Sequence, residues 1–269
     1  MLRQPVRACA RRADPPGARA GSFPRVTSGR RGGRGGVGRS TVHGMCGRYA
    51  TTRSNADLST FFEAVDVAEP LRASWNVAPT DPVPLVRMSK SHEGRVLDTA
   101  RWGLVPQWAP DLRGGARMIN ARAETVATLK SFAPSFAKRR CLVPADGWFE
   151  WVRDGKRKQA FYMTPRDGEP LAFAGIWSAW GPESVLTASV ITTAALGGLA
   201  KVHDRMPLIL PAARWDDWLA GGGDPESLLR PLSERELEAI EVRPIGPEVG
   251  NVRNNGPELL EPRSEVTLF

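Results

Sequence analysis

The chain is poor in the residues that build metal centres and disulfide frameworks. Its 269 residues include three cysteines (Cys9, Cys46 and Cys141) and three histidines (His43, His92 and His203). Three cysteines make no disulfide framework and point to a reducing, intracellular setting. Neither CxxC nor HxxxH spacing occurs, so Cys46, Cys141 and His203 give no expected zinc site. No metal and no small-molecule cofactor are expected. No run approaches the ~18 apolar residues needed to span a membrane, and no secretory apolar segment is visible. Internal repeats, heptads and βαβ alternation are also missing, which leaves one α+β domain around a mainly antiparallel, barrel-like β-sheet with flanking short helices.

Positive charge is plentiful but local. The formal net charge is +8. Residues 1–44 hold ten arginines, no lysine and one acid, Asp14, so this segment carries +9 and the rest of the chain −1. Overall basicity is therefore no evidence that the folded part binds nucleic acid. The segment is Arg- and Gly-rich, as in Arg30-Arg31-Gly32-Gly33-Arg34-Gly35-Gly36, and has no apolar periodicity. We expect residues 1–44 to be disordered. Three readings fit them: an extension upstream of the true start codon, an Arg-rich organelle transit peptide, or a nucleic-acid-binding tail. The first two leave Cys46 at or near the mature N-terminus.

From Met45 onward the pattern alternates short strands, turns and loops. Strands are expected at 46–51, 83–88, 95–102, 140–143, 147–152, 160–164, 171–180, 185–193, 207–210 and 242–245. Helices are expected at 57–65, 211–219 and 233–239, with shorter ones after Asn120 and at 194–200. Trp75–Thr80 and Gly103–Trp108 read as loops. Asp154-Gly155 is a hairpin signal. The domain is expected to span 45–262, with a tail at 263–269.

Few residues here can carry chemistry. Cys46 follows Met45 directly. As an N-terminal residue it would present an α-amine, with a pKa of roughly 7.7–8.0, beside a thiol near ~8.5. Such a 1,2-aminothiol condenses with an aldehyde to an imine and then a thiazolidine; an internal cysteine, whose nitrogen is an amide, cannot. The plainer reading is a small buried hydrophobe on a first strand. Glu150 stands in Gly147-Trp148-Phe149-Glu150-Trp151. Strand alternation puts it on the face of Trp148, where desolvation raises a carboxyl pKa toward that of a general acid; otherwise it faces water. Asn120 and Arg122 lie two apart and can point the same way, although Asn120 also fits a helix cap. His203 precedes an apolar strand and is either a hydrogen-bonder of the core or a proton shuttle. Seven of the nine tryptophans fall between Trp75 and Trp180. Core packing accounts for most, and exposed ones beside Arg48 and Arg122 would stack single-stranded bases.

Together these stretches resemble the SRAP family, the SOS response-associated peptidase or abasic-site processing proteins. The resemblance rests on Met45-Cys46-Gly47-Arg48-Tyr49, Trp75-Asn76-Val77-Ala78-Pro79, Arg101-Trp102-Gly103-Leu104-Val105-Pro106-Gln107-Trp108 and Ile119-Asn120-Ala121-Arg122-Ala123-Glu124-Thr125. It continues through Arg140–Trp151, His203-Asp204-Arg205-Met206-Pro207 and Gly250-Asn251-Val252-Arg253-Asn254-Asn255-Gly256. It covers about Met45 to Pro262. The resemblance implies a protein that crosslinks itself to abasic sites in single-stranded DNA through Cys46, as a thiazolidine. Asn120 would position the N-terminal group and the opened sugar, Glu150 would act as acid and base, and His203 would assist proton transfer and reversal. Arg48, Asn76 and Arg122 would hold phosphates, and Trp102 and Trp108 would lie at the edge of the bases. Lyase activity through an imine and a self-processing peptidase activity are implied too. The setting would be cytoplasmic, nucleoid-associated on DNA, with no membrane partner and a monomeric protein. The 44 residues before Met45 depart from the family pattern, which has Cys at position two. Two other readings are a cysteine-dependent peptidase acting on other proteins, with a Cys46 thiolate and His203 as base, and a plain single-stranded DNA-binding module.

The crosslinking reading requires a mature chain that begins at Cys46. Intact-mass measurement of the protein from its native host should return that mass. An active endogenous protein that retains residues 1–44 would contradict it.

Overall fold

The computed structural model describes residues 46–155 and 157–263. The expected disorder of 1–44 lies outside them, as do residues 264–269 of the tail. Thirteen strands are described: β1 (Tyr49–Thr51), β2 (Ala64–Asp66), β3 (Ser74–Val77), β4 (Pro82–Met88), β5 (Arg95–Trp102), β6 (Asn120–Arg122), β7 (Arg140–Ala145), β8 (Gly147–Asp154), β9 (Arg157–Pro165), β10 (Leu171–Trp180), β11 (Val185–Ala194), β12 (Arg205–Pro207) and β13 (Ile240–Ile245). The helices are short: α1 (Asn55–Phe61), α2 (Ala123–Val126), α3 (Ala133–Lys138), α4 (Trp215–Leu219), α5 (Pro225–Leu228) and α6 (Glu234–Leu237).

The larger sheet runs β12-β11-β10-β7-β4-β5-β2. Its neighbours are antiparallel along most of this path, but β5 also pairs β11 in parallel, Thr187 with Arg101 and Ala188 with Trp102. That pairing closes β11, β10, β7, β4 and β5 into a five-stranded ring. A closed ring leaves no edge among its members. Strand β7 is buried along its whole length. Its Cys141, Val143 and Ala145 face one core, with Val83, Leu85, Trp102 and Phe173. Leu142 faces a second core with Leu58, Phe136 and Trp218 from α1, α3 and α4. The smaller sheet runs β13-β9-β8-β1-β3. Tyr49 and Trp148 from β1 and β8 belong to the first core, so the smaller sheet packs against the ring.

Several elements differ from the sequence pattern. Helix α1 stops at Phe61, because Glu63 adopts a positive φ of 51° and Val65 joins β2. Of the loop expected at Trp75–Thr80, the first three residues belong to β3, which pairs with β1. The helix expected at 211–219 is a 3-10 turn at Ala212–Arg214 followed by α4. The one expected at 194–200 is a 3-10 turn at Gly197–Lys201. The hairpin at Asp154-Gly155 forms, with Asp154 opposite Arg157 and Gly155 at φ 56°. No described helix is long and apolar enough to cross a membrane.

Gly147 opens β8 opposite Ala50 of β1. A Cβ there would stand 2.3 Å from the Met163 carbonyl oxygen and 2.6 Å from the Tyr162 ring. Two strands of the smaller sheet meet there, so Gly147→Ala should destabilise by about 1–3 kcal/mol through overpacking. Urea unfolding would measure it, and an unchanged midpoint would show that β9 yields freely.

Candidate functional site

Three of the residues singled out above, Cys46, Asn120 and Glu150, come together just ahead of β1. The alternation expected along β8 holds: Trp148 faces the first core, whereas Phe149 and Trp151 face a separate cluster with Ala50, Tyr162 and Ile245. Glu150 is accordingly turned inward and is 2% exposed. Its Oε1 accepts a hydrogen bond of 3.0 Å from the Cys46 nitrogen. Asn120, at the start of β6, donates from Nδ2 to the Cys46 carbonyl at 2.9 Å. Parallel pairing with Val190 of β11 fixes where Asn120 stands. One residue, Cys46, is thus held at its nitrogen by a residue 104 positions away and at its carbonyl by one 74 away. Asn120 is not the cap of α2; that position is Arg122, with no side-chain cap bond.

The electrostatics follow from burial. Desolvation pushes the Glu150 carboxyl up to about 8; the bond from Cys46 opposes this and the charge of Asp204 adds to it. The Cys46 thiol is also raised, by burial first and then by Glu150. A thiolate is disfavoured at this position, which counts against a peptidase built on it. His203 lies between β11 and β12. Its Nδ1 accepts from the Arg205 backbone N–H at 3.0 Å, and the Asp204 carboxylate is 3.0 Å from the same nitrogen. A backbone N–H can only donate, so the neutral ring carries its proton on Nε2. If Nδ1 is protonated, Asp204 becomes its partner.

The expected DNA contacts divide. Arg122 is exposed, and Trp108 is 70% exposed. Trp108 sits on the loop that leaves the end of β5 and returns at Asn120. Trp102 does not lie at a surface for bases. It is 1% exposed, stacks edge-on with Tyr49 and donates from Nε1 to the Ile119 carbonyl. Asn76 does not offer itself to phosphate. It is 3% exposed, and its amide bonds the carbonyls of Val249, Asn251 and Asn254. Its Oδ1 accepts from Arg48, which also reaches the Val249 and Gly250 carbonyls. The Asn76 side chain therefore ties the 249–254 segment to β3, with Arg48 half-buried beside it.

Sequence reasoning missed the pair behind His203. Arg205 meets both oxygens of Glu124, at 2.5 and 2.9 Å, and the Thr192 carbonyl at 2.6 Å. Only their presence in two of the stretches that carry the family resemblance hinted at it. Two surface cavities, of ≈580 and ≈560 Å³, are lined by neither Cys46 nor Glu150. Among the described residues, no group of three or more His, Cys, Asp or Glu could hold a metal ion.

Residues 45–252 match the family described as SOS response associated peptidase (SRAP). The chain is 36% identical over 228 residues to the abasic site processing protein YoqW of Bacillus subtilis, covering 81% of this chain and 99% of that one. It is 35% identical over 231 residues to the abasic site processing protein YedK of Escherichia coli, covering 81% and 100%. A crystal structure of a protein from Bacteroides thetaiotaomicron shares the fold, with a TM-score of 0.70 at 22% identity over 81% of this chain and all of that one.

The Glu150 contact has a measurable consequence. With an amide at Cys46, the carboxyl takes up its proton near pH 8 in the folded state and near ~4.3 unfolded. The folded state therefore binds the extra proton between these values, and stability falls as pH rises through the window, by at most about 1.4 kcal/mol per pH unit. Urea midpoints from pH 5 to 9 should show this slope, and Glu150→Gln should flatten it. In a chain beginning at Cys46 an ammonium faces Glu150, so the carboxyl should titrate lower and the slope should shrink. Identical pH profiles for all three chains would remove the contact.

Proposed function

Because the chain belongs to the SOS response associated peptidase (SRAP) family, we propose that it processes abasic sites, binding single-stranded DNA and joining Cys46 covalently to the ring-opened sugar as a thiazolidine. The relatives YoqW and YedK bear the name abasic site processing protein. The observation that carries the reading is the hydrogen bond from the Cys46 nitrogen to the buried Glu150 carboxyl. In a chain that begins at Cys46 that nitrogen is an amine.

The chemistry proceeds in balanced steps. The abasic sugar is mostly a closed hemiacetal. A protonated Glu150 donates to the ring oxygen while the anomeric hydroxyl gives its proton to water, which returns it to the carboxylate, and the ring opens to the aldehyde. The neutral amine adds to the carbonyl carbon, and water leaves to give an imine. The Cys46 sulfur adds to the same carbon, and the thiol proton ends on nitrogen. One water is lost overall. Burial, the largest cause of the raised carboxyl pKa in the chain with an amide at Cys46, favours the proton-carrying form that the first step uses. Asn120, on the Cys46 carbonyl, keeps the residue from swinging away. His203 moves protons during reversal, with Asp204 beside Nδ1 to accept its charged form. Arg48 and Arg122 bind backbone phosphates and Trp108 meets a base. The same imine permits strand cleavage by β-elimination, and self-processing exposes Cys46.

Cys46→Ser, in a chain starting at residue 46, should retain DNA binding and yield no heat-stable adduct on abasic single-stranded DNA. Glu150→Gln should bind normally and form the adduct ~10²–10⁴-fold more slowly, the usual cost of losing a general acid. A time course on denaturing gels reads both. A wild-type adduct from Cys46→Ser would rule out the thiazolidine. Wild-type rates from Glu150→Gln would take that carboxyl out of the reaction.

A further inference from the structure

The hairpin of β8 and β9 extends past the start of β1. Pairing between β1 and β8 covers only Tyr49 with Trp148 and Ala50 with Gly147, whereas β8 and β9 stay paired out to Asp154 and Arg157. One strand therefore presents Glu150 to Cys46 on its inner face and continues outward as part of an arm. On the arm's other face Arg153 stands directly opposite Lys158. Both are exposed. Cross-strand like charges repel, and an anion bound between them would relieve that repulsion. No described ion pair involves Arg153, Lys158 or Arg48. The Lys158 ammonium lies 4.6 Å from the centre of the Trp151 ring, which holds the lysine against the arm. Burial and then the charges of Arg153 and Arg48 lower its pKa, so the three cations share one field.

We propose that this face of the β8–β9 hairpin is a second phosphate-binding site, in which Arg153 and Lys158, continuous with Arg48, hold the backbone of a single strand as it runs away from Cys46. The inference rests on the function proposed above and adds residues to its DNA contact. A strand whose sugar is bonded to Cys46 carries a phosphate on each side. The arm starts beside Cys46 and offers cations without counter-ions. Backbone phosphates are read through charge and not sequence, so the contact is indifferent to bases. Trp151, already covered by Lys158, supports the lysine and does not stack a base. Arg157 has the opposite alternation, on the face away from Arg153 and Lys158, and takes no part.

The test uses chains starting at residue 46 and single-stranded DNA without an abasic site, followed by fluorescence anisotropy over a series of salt concentrations. Arg153→Gln with Lys158→Gln should weaken binding at low salt for every sequence. It should also reduce the salt slope by about 1.4, at ~0.7 per phosphate contact on a single strand. Arg157→Gln should leave the slope as in wild type, and all three chains should form the adduct on abasic DNA when DNA is saturating. A wild-type slope in the double variant, or an equal loss in Arg157→Gln, overturns the second site while leaving the proposed function standing. A wild-type chain that neither binds single-stranded DNA nor forms an adduct overturns both.

Discussion

The structure depends on a carboxyl group placed where water cannot solvate it. Glu150 is nearly inaccessible, in a strand otherwise filled by Trp148, Phe149 and Trp151. Taking such a group out of water is costly unless it is protonated or partnered. Here it is partnered by one N–H, that of Cys46. The arrangement requires β1 to begin against β8 and Gly147 to let the two strands and β9 meet closely. It also requires Asn120, delivered by β6 along β11, to hold the other end of Cys46. The parallel pairing that closes the ring sets the position of β11, and so of Asn120. The barrel is in this sense the support for one residue.

Much of this was legible in the sequence because it is local. Two-residue alternation placed Glu150 on the Trp148 face, and the Asp154-Gly155 turn located the hairpin. What escaped depends on long-range pairing. The β5–β11 contact joins residues far apart in the chain, and no local pattern encodes it. Trp75–Thr80 looked like a loop held by Pro79 and Pro82, yet β1 provides a partner for its first three residues. The family resemblance implied that Asn76 would hold a phosphate and Trp102 lie at the edge of the bases. Each instead donates its N–H groups to backbone carbonyls of the fold, three for Asn76 and that of Ile119 for Trp102. A polar or aromatic residue in a stretch that carries the family resemblance can serve the scaffold as readily as the substrate. The Glu124–Arg205 pair shows this too, since the same Arg205 donates its backbone N–H to His203 Nδ1.

Strand β8 divides two tasks between its faces. Glu150 turns inward to the Cys46 nitrogen, and Trp151 turns to the outer cluster, where Lys158 lies over it. The raised thiol of Cys46 fits the same division. A buried sulfur that keeps its proton is a poor first nucleophile, which leaves the nitrogen to attack first and the sulfur to close the ring.

The most direct test of that order is the covalent structure of the adduct. A chain beginning at Cys46 is incubated with abasic single-stranded DNA, digested, and the modified peptide is fragmented by mass spectrometry with and without prior thiol alkylation. The account predicts a sugar bonded to Cys46, a mass equal to peptide plus nucleotide less one water, and a Cys46 sulfur that resists alkylation. An adduct on a lysine, or a Cys46 thiol that still takes the alkylating group, would contradict it.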